Sequence, residues 1–182
     1  MEAQVWCEAK GIQVSDRILL YFQHAGRNCI GIEFEKSPPY GIPYIATCLL
    51  PCAENSSFRG ALVWIREWGV WGEYVERVGL RVLEVLRLAH NERRSLLEAP
   101  AHLFEESELV DAQVCLTQAL LIGFDAYVVP PVGDYFVFVS HDSYACFVCK
   151  TRVKCEELLQ QMRAAKLEAS ENEAAYRFGW DG

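Results

Sequence analysis

The stretch 125–150, DAYVVPPVGDYFVFVSHDSYACFVCK, constrains this chain more than any other. Val, Tyr and Phe dominate it, and these residues suit a pleated, half-buried surface. Pro130, Pro131, Gly133 and Asp134 interrupt it once, and Ser140-His141-Asp142-Ser143 a second time. It therefore reads as three strands in succession, with residues 135–141 and 144–150 as a hairpin. The rest of the chain has to supply elements that pack on that block.

Upstream, residues 4–9 and 16–23 are expected as strands. Residues 29–36, CIGIEFEK, alternate cleanly, with Ile30, Ile32 and Phe34 opposite Glu33 and Glu35. That pattern fits an antiparallel sheet packed on one face and wet on the other. Pro38 and Pro39 make 37–43 a loop, 44–50 reads as a further strand, and 51–57 is the one internal boundary the sequence offers. Residues 58–71 admit two readings. The apolar run Ala61 to Ile65 is too short for periodicity to decide. Trp64, Trp68 and Trp71 stand at helical spacing, while Gly60, Gly69 and Gly72 weaken a helix.

Three helices are expected. Residues 73–91 carry an apolar stripe of Val75, Val78, Val82, Val85, Leu86 and Ala89. Residues 107–122 begin at Ser107, a good N-cap, and stop at Gly123. Residues 152–167 bury Cys155, Leu158, Leu159 and Met162. Between the first two, 92–101 is a polar connector. After the third, 168–173 is acidic and expected to fray. Tyr176, Phe178 and Trp180 then recur at period 2, in a tail (168–182) that docks on its own core or on a second copy to make a homodimer. The expected whole is a single α+β domain over 1–182: a mainly antiparallel sheet with about three helices packed on it.

Charge narrows the partners. Seventeen basic and twenty-five acidic residues leave a net charge of −8. Binding to nucleic acid needs a basic footprint, so that class is not expected; a basic protein partner suits the charge. No apolar run approaches the ~20 residues of a membrane span. The opening MEAQVWCEAKG lacks the basic and apolar regions of a signal peptide, so a cytoplasmic location is expected. In that reducing setting the eight cysteines read as buried thiols, and no cofactor or metal is expected.

Ser140, His141 and Asp142 have the residue types of a nucleophile, base and orienter. Successive strand residues point to opposite faces, so the three cannot form a relay among themselves. A polar turn is the ordinary use of such a cluster. His141 is the position to test, with Asp142, Asp125 or Asp134 as its acid, because imidazole exchanges protons near neutral pH. The same alternation turns Cys146 and Cys149 to opposite faces, which removes the redox reading of their C-x-x-C spacing. A zinc site would need Cys48 and Cys52 as a second pair, and neither has supporting turn residues. His24, His90 and His102 form no metal motif. Glu105-Glu106-Ser107-Glu108 is an acidic patch suited to a basic partner. Trp64, Trp68, Trp71 and Tyr144, together with Tyr74, are the aromatic candidates for a binding surface, with core packing as their competing use.

The leading expectation is a non-enzymatic, acidic protein-binding module, immunity- or antitoxin-like by analogy of class alone. Its rival is a small hydrolase or transferase with an acid/base site centred on His141. A small-ligand binder walled by tryptophans is the third reading.

Overall fold

The computed structural model describes residues 3–15, 20–22, 28–34, 41–51, 57–66, 73–96 and 98–171; for 73–79 it describes the backbone only. The hairpin expected from the sequence lies inside a seven-stranded antiparallel sheet. Its strands are β3 (Cys29–Glu33), β4 (Ala61–Ile65), β5 (Ala101–Phe104), β6 (Ala126–Val129), β7 (Tyr135–Ser140), β8 (Tyr144–Cys149) and β9 (Ala169–Glu171). Their order across the sheet is β5-β4-β6-β7-β8-β3-β9. A separate two-stranded ribbon joins β1 (Ile12–Val14) to β2 (Leu20–Phe22). Five helices complete the described chain: α1 (Ala3–Glu8), α2 (Ile42–Leu49), α3 (Glu73–Ala89), α4 (Leu109–Ile122) and α5 (Arg152–Ala164).

The sheet is covered on both sides, which corrects the expectation of one wet face. Every residue of β6 and β7 is buried, as a near-continuous apolar run requires when neither face meets water. On one face Ile30, Ile32, Val63, Val128, Val137 and Phe147 pack against α2, α4 and α5. On the other, Leu62, Trp64, Tyr127, Phe136 and Cys146 meet a smaller layer built from Cys7 of α1, Ile12 of β1 and Leu20 and Phe22 of β2. Strands β3 and β4, on either side of 51–57 in the chain, belong to this one sheet.

Other corrections have local causes. Of residues 4–9, expected as a strand, 4–8 lie in helix α1, and their buried Cys7 faces the sheet. Of residues 44–50, expected as a strand, 44–49 fall in α2, where Pro43 occupies the first turn, a position at which its missing N–H costs nothing. The connector 92–101 runs into β5, and residues 169–171, expected to fray, pair with β3 as an edge strand. Residue 107 is not the cap of α4. Glu108 holds that position without a side-chain cap, and its carboxylate instead accepts from the Glu105 N–H at 2.7 Å. Gly123 does end α4, in the left-handed conformation, with the Phe124 N–H returning to the Ala119 carbonyl. Helix α5 starts on Thr151, whose hydroxyl accepts from the Lys154 N–H.

Candidate functional site

Two places gather the polar residues that the sequence singles out. The first is the tip of the β7–β8 hairpin. Its loop is His141-Asp142-Ser143, with Ser143 at a φ of 62°, the left-handed residue that a three-residue hairpin loop needs. Asp125 sits one residue before β6, level with that tip. Its buried carboxylate accepts from the His141 backbone N–H and from His141 Nδ1, both at 2.8 Å and both on Oδ1. A carboxylate only accepts, so Nδ1 carries its proton and Nε2 faces outward. Asp142 Oδ1 lies 3.4 Å from Nε2, and the His141 ring is 27% exposed. The structure thus brings together His141, Asp125 and Asp142. Asp134 is not with them; it lies 3.8 Å from Lys154, beyond the opposite end of β7.

Tyr144, at the start of β8, is half-buried against Phe138 on the ribbon side of the sheet. Burial pushes its phenol up to about 12, against a lowering hydrogen bond from Ser140.

The second place lies along β5, at the end of the sheet. A cleft of about 680 Å³ opens between α1 and the segment 90–103, within the size range of ordinary binding sites. Trp6, Trp64, Ala101 and Leu103 form its apolar walls, and His90, Glu92, Arg94, Glu98 and His102 its polar ones. A second cleft, of about 540 Å³, continues past Trp6 and Leu103 toward Arg59, Glu105 and Glu106. The two make one groove along the edge strand.

The walls are braced. His90 Nδ1 is 2.9 Å from Glu108 and Nε2 is 3.0 Å from Asp111, which ties the end of α3 to the start of α4. The His90, His102 and Phe104 rings pack edge-on or tilted against one another at centroid separations of 4.6–5.8 Å. Burial, with His90 beside it, lowers the His102 imidazole below its ordinary value. Glu92 grips Arg94 through both its carboxylate oxygens, and those hydrogen bonds hold its carboxyl down to about 2.

Among the described residues β5 pairs only with β4, so its outer edge has no partner strand. The Ile65 N–H donates to the Pro100 carbonyl at 3.0 Å. Bonded and non-bonded pairs alternate in an antiparallel ladder. Val63–His102 and Ala61–Phe104 are therefore the bonded pairs, and Ala101 and Leu103 turn their N–H and C=O away from β4. Leu103 is 39% exposed.

Of the aromatic candidates, Trp64 reaches this groove as a wall. Trp68, Trp71 and the side chain of Tyr74 lie outside the described residues, as do His24, Cys52 and the tail aromatics. The sequence reading missed Ala101, Leu103 and Arg94. The signal available was the short run Ala101 to Phe104 directly after Pro100, which reads as a strand start only once a partner strand is known.

Cys146 and Cys149 do face opposite sides, one in each core. Cys7, Cys115, Cys146, Cys149 and Cys155 are buried free thiols. Burial pushes Cys7 and Cys115 up to about 12, which makes them poor nucleophiles. Among the described residues no three His, Cys, Asp or Glu side chains are arranged to hold a metal ion, and no helix is long and apolar enough to cross a membrane. No protein-family model, curated protein or solved structure matches this chain.

Proposed function

We propose that this protein is a non-enzymatic binding module that takes an extended segment of a partner protein as an added strand on β5. The observation that carries the reading is the outward-turned backbone of Ala101 and Leu103 beside an open, partly apolar cleft. An unpaired row of N–H and C=O groups is complementary to another strand and to little else. Strand addition takes its affinity from such main-chain bonds and its selectivity from neighbouring pockets. Exposed Glu98, Glu105 and Glu106 bracket β5, and with the net charge of −8 they favour a segment with basic flanks.

The test is selection of a displayed random decapeptide library on the immobilised chain, followed by binding of the enriched peptides to Leu103→Pro. Proline at this position deletes an N–H that β4 does not use, and edge strands tolerate that change. The enriched peptides are expected to lose about tenfold or more in affinity on Leu103→Pro, through lost main-chain hydrogen bonds. Leu103→Val, which keeps the N–H, should bind as wild type. Equal binding by the proline variant would sink the reading. If β5 instead pairs with a second copy, sedimentation will report a dimer that Leu103→Pro dissociates.

A second reading rests on the Asp125–His141 contact, which is the orienter–base half of a hydrolytic site. It predicts hydrolysis of p-nitrophenyl acetate that falls at least tenfold in His141→Ala. Rates that match within error would remove it.

A further inference from the structure

We infer that the strand added at β5 carries an arginine between two apolar residues, and that His102 is the residue that reads the arginine. The inference rests on the docking reading above and names the segment it takes. The edge open to a partner is short. Pro100 gives its carbonyl to Ile65 and has no N–H, and the Glu105 N–H is taken by the Glu108 carboxylate. Residues 101–103 are left, so three residues of the added strand stand directly opposite β5. Side chains alternate along a strand, so those three meet two different surfaces.

The sheet register says which surface each one meets. Ala101 and Leu103 stand opposite Trp64 and Leu62, on the ribbon side of the sheet. The outer residues of the three lie beside them, along the apolar wall that Trp6, Ala101 and Leu103 give the 680 Å³ cleft. His102 stands opposite Val63, on the helix side. As part of an edge strand it has a cross-strand neighbour on one flank, and the middle residue of the added strand supplies the other. His102 is half-buried and lines the same cleft. Its ring packs on those of His90 and Phe104, and among the described residues neither of its nitrogens has a hydrogen-bond partner.

Charge chooses the middle residue. Four carboxylates, of Glu92, Glu98, Glu108 and Asp111, gather around this end of the groove against two guanidiniums, of Arg87 and Arg94. A negative charge is left over even with His90 protonated, so a cationic side chain is complementary and a carboxylate is not. The neutral imidazole offers one nitrogen as an acceptor and a ring face. Arginine matches both, because its planar guanidinium donates and also lies against rings, which an ammonium does less well. The chain's own Tyr176-Arg177-Phe178 has the same pattern, but it stands between Glu173 and Asp181 in a chain of net charge −8. Like charge opposes that pairing, so the occupant is a segment of a basic partner protein and not a second copy.

The experiment uses the enriched decapeptides and the full chain. One aligned position should show arginine with an apolar residue on each side. Replacing that arginine by glutamine should weaken binding about tenfold to wild type and by less than about threefold to His102→Leu, which removes the acceptor. A pH profile gives a second readout. The charged groups about His102 are His90, Arg87 and Glu92 from the α3 side and Glu108 from α4; burial, with His90 next, lowers the imidazole below its ordinary value. His102 is therefore neutral at neutral pH, and acid turns it into a cation facing the arginine. Between about pH 7.5 and pH 5 the arginine peptide should lose affinity relative to the glutamine peptide on wild type, and not on His102→Gln, which keeps an acceptor and cannot titrate. That profile carries the test if His102→Leu fails to fold. Enrichment without an arginine position, or an arginine preference unchanged by both His102 variants, overturns this inference and leaves the docking reading standing. Binding that ignores Leu103→Pro overturns both. A dimer of the chain alone that Arg177→Gln dissociates would overturn the choice of a foreign partner.

Discussion

Gly60→Ala is expected to destabilise the fold by about 2–4 kcal/mol, the sum of a left-handed backbone strain and a steric overlap. Gly60 precedes β4 with a φ of +84°, a region that side-chain-bearing residues rarely occupy. A Cβ built on it would lie 2.8 Å from the carbonyl oxygen of Phe104. That atom is backbone and cannot swing aside as a flexible side chain can. Relief requires β4 and β5 to part at the end of their ladder, where Phe104 packs against His102 and His90. The loss should appear as a lower urea midpoint at unchanged m-value. It should be accompanied by faster amide exchange in 101–104 than in β6 or β7. An unfolding free energy within about 0.5 kcal/mol of wild type would refute the clash. The variant also bears on function, since the groove depends on where β5 sits.

The second large effect belongs to Asp125. Asp125→Ala is expected to cost about 2–4 kcal/mol, because one buried carboxylate oxygen serves two donors of His141 and its loss strands a backbone N–H. Asp125→Asn keeps an acceptor oxygen and should cost roughly 1 kcal/mol. His141→Ala should fall between them, since its backbone N–H still reaches Asp125. Equilibrium urea unfolding of the three variants gives the order. If Asp125→Ala proves as stable as wild type, the contact does not hold the turn. A stability order of this kind assigns Asp125 a role at the hairpin tip that needs no chemistry. An activity that disappears with His141 while stability persists would point the other way.

The centre of the sheet was legible because its signal is local. Residues 135–149 carry a β-rich run, a polar three-residue turn and flanking turn chemistry, and the hairpin follows from these alone. The opposed cysteines followed from strand period. The second covering layer was not legible, since nothing in the alternation of 29–36 records that α1 and the β1–β2 ribbon lie across the sheet. Residues 44–50 misled because Ile, Tyr and Thr favour strands, whereas Pro43 in the first turn of α2 and packing on α4 decide for a helix. β5 and β9 escaped notice for another reason. Each is three or four residues long, and each is held by a ladder to a strand far away in sequence. The groove could not be foreseen without β5. Trp64 was marked as an aromatic candidate, but its place on the wall of the groove is a property of packing and not of sequence.

The position of β3 bears on how the chain assembles as it is made. Residues 29–33 lie between β8 and β9, partners that come more than a hundred residues later. During synthesis Ile30 and Ile32 are produced early and have no sheet to enter until 144–149 have followed. Strands β6, β7 and β8 are joined by short turns, so they can pair while β3 is still waiting. Such long-range closure is slow, and it leaves an apolar strand exposed in the meantime. Strands translated later are thus the ones that give β3 its place.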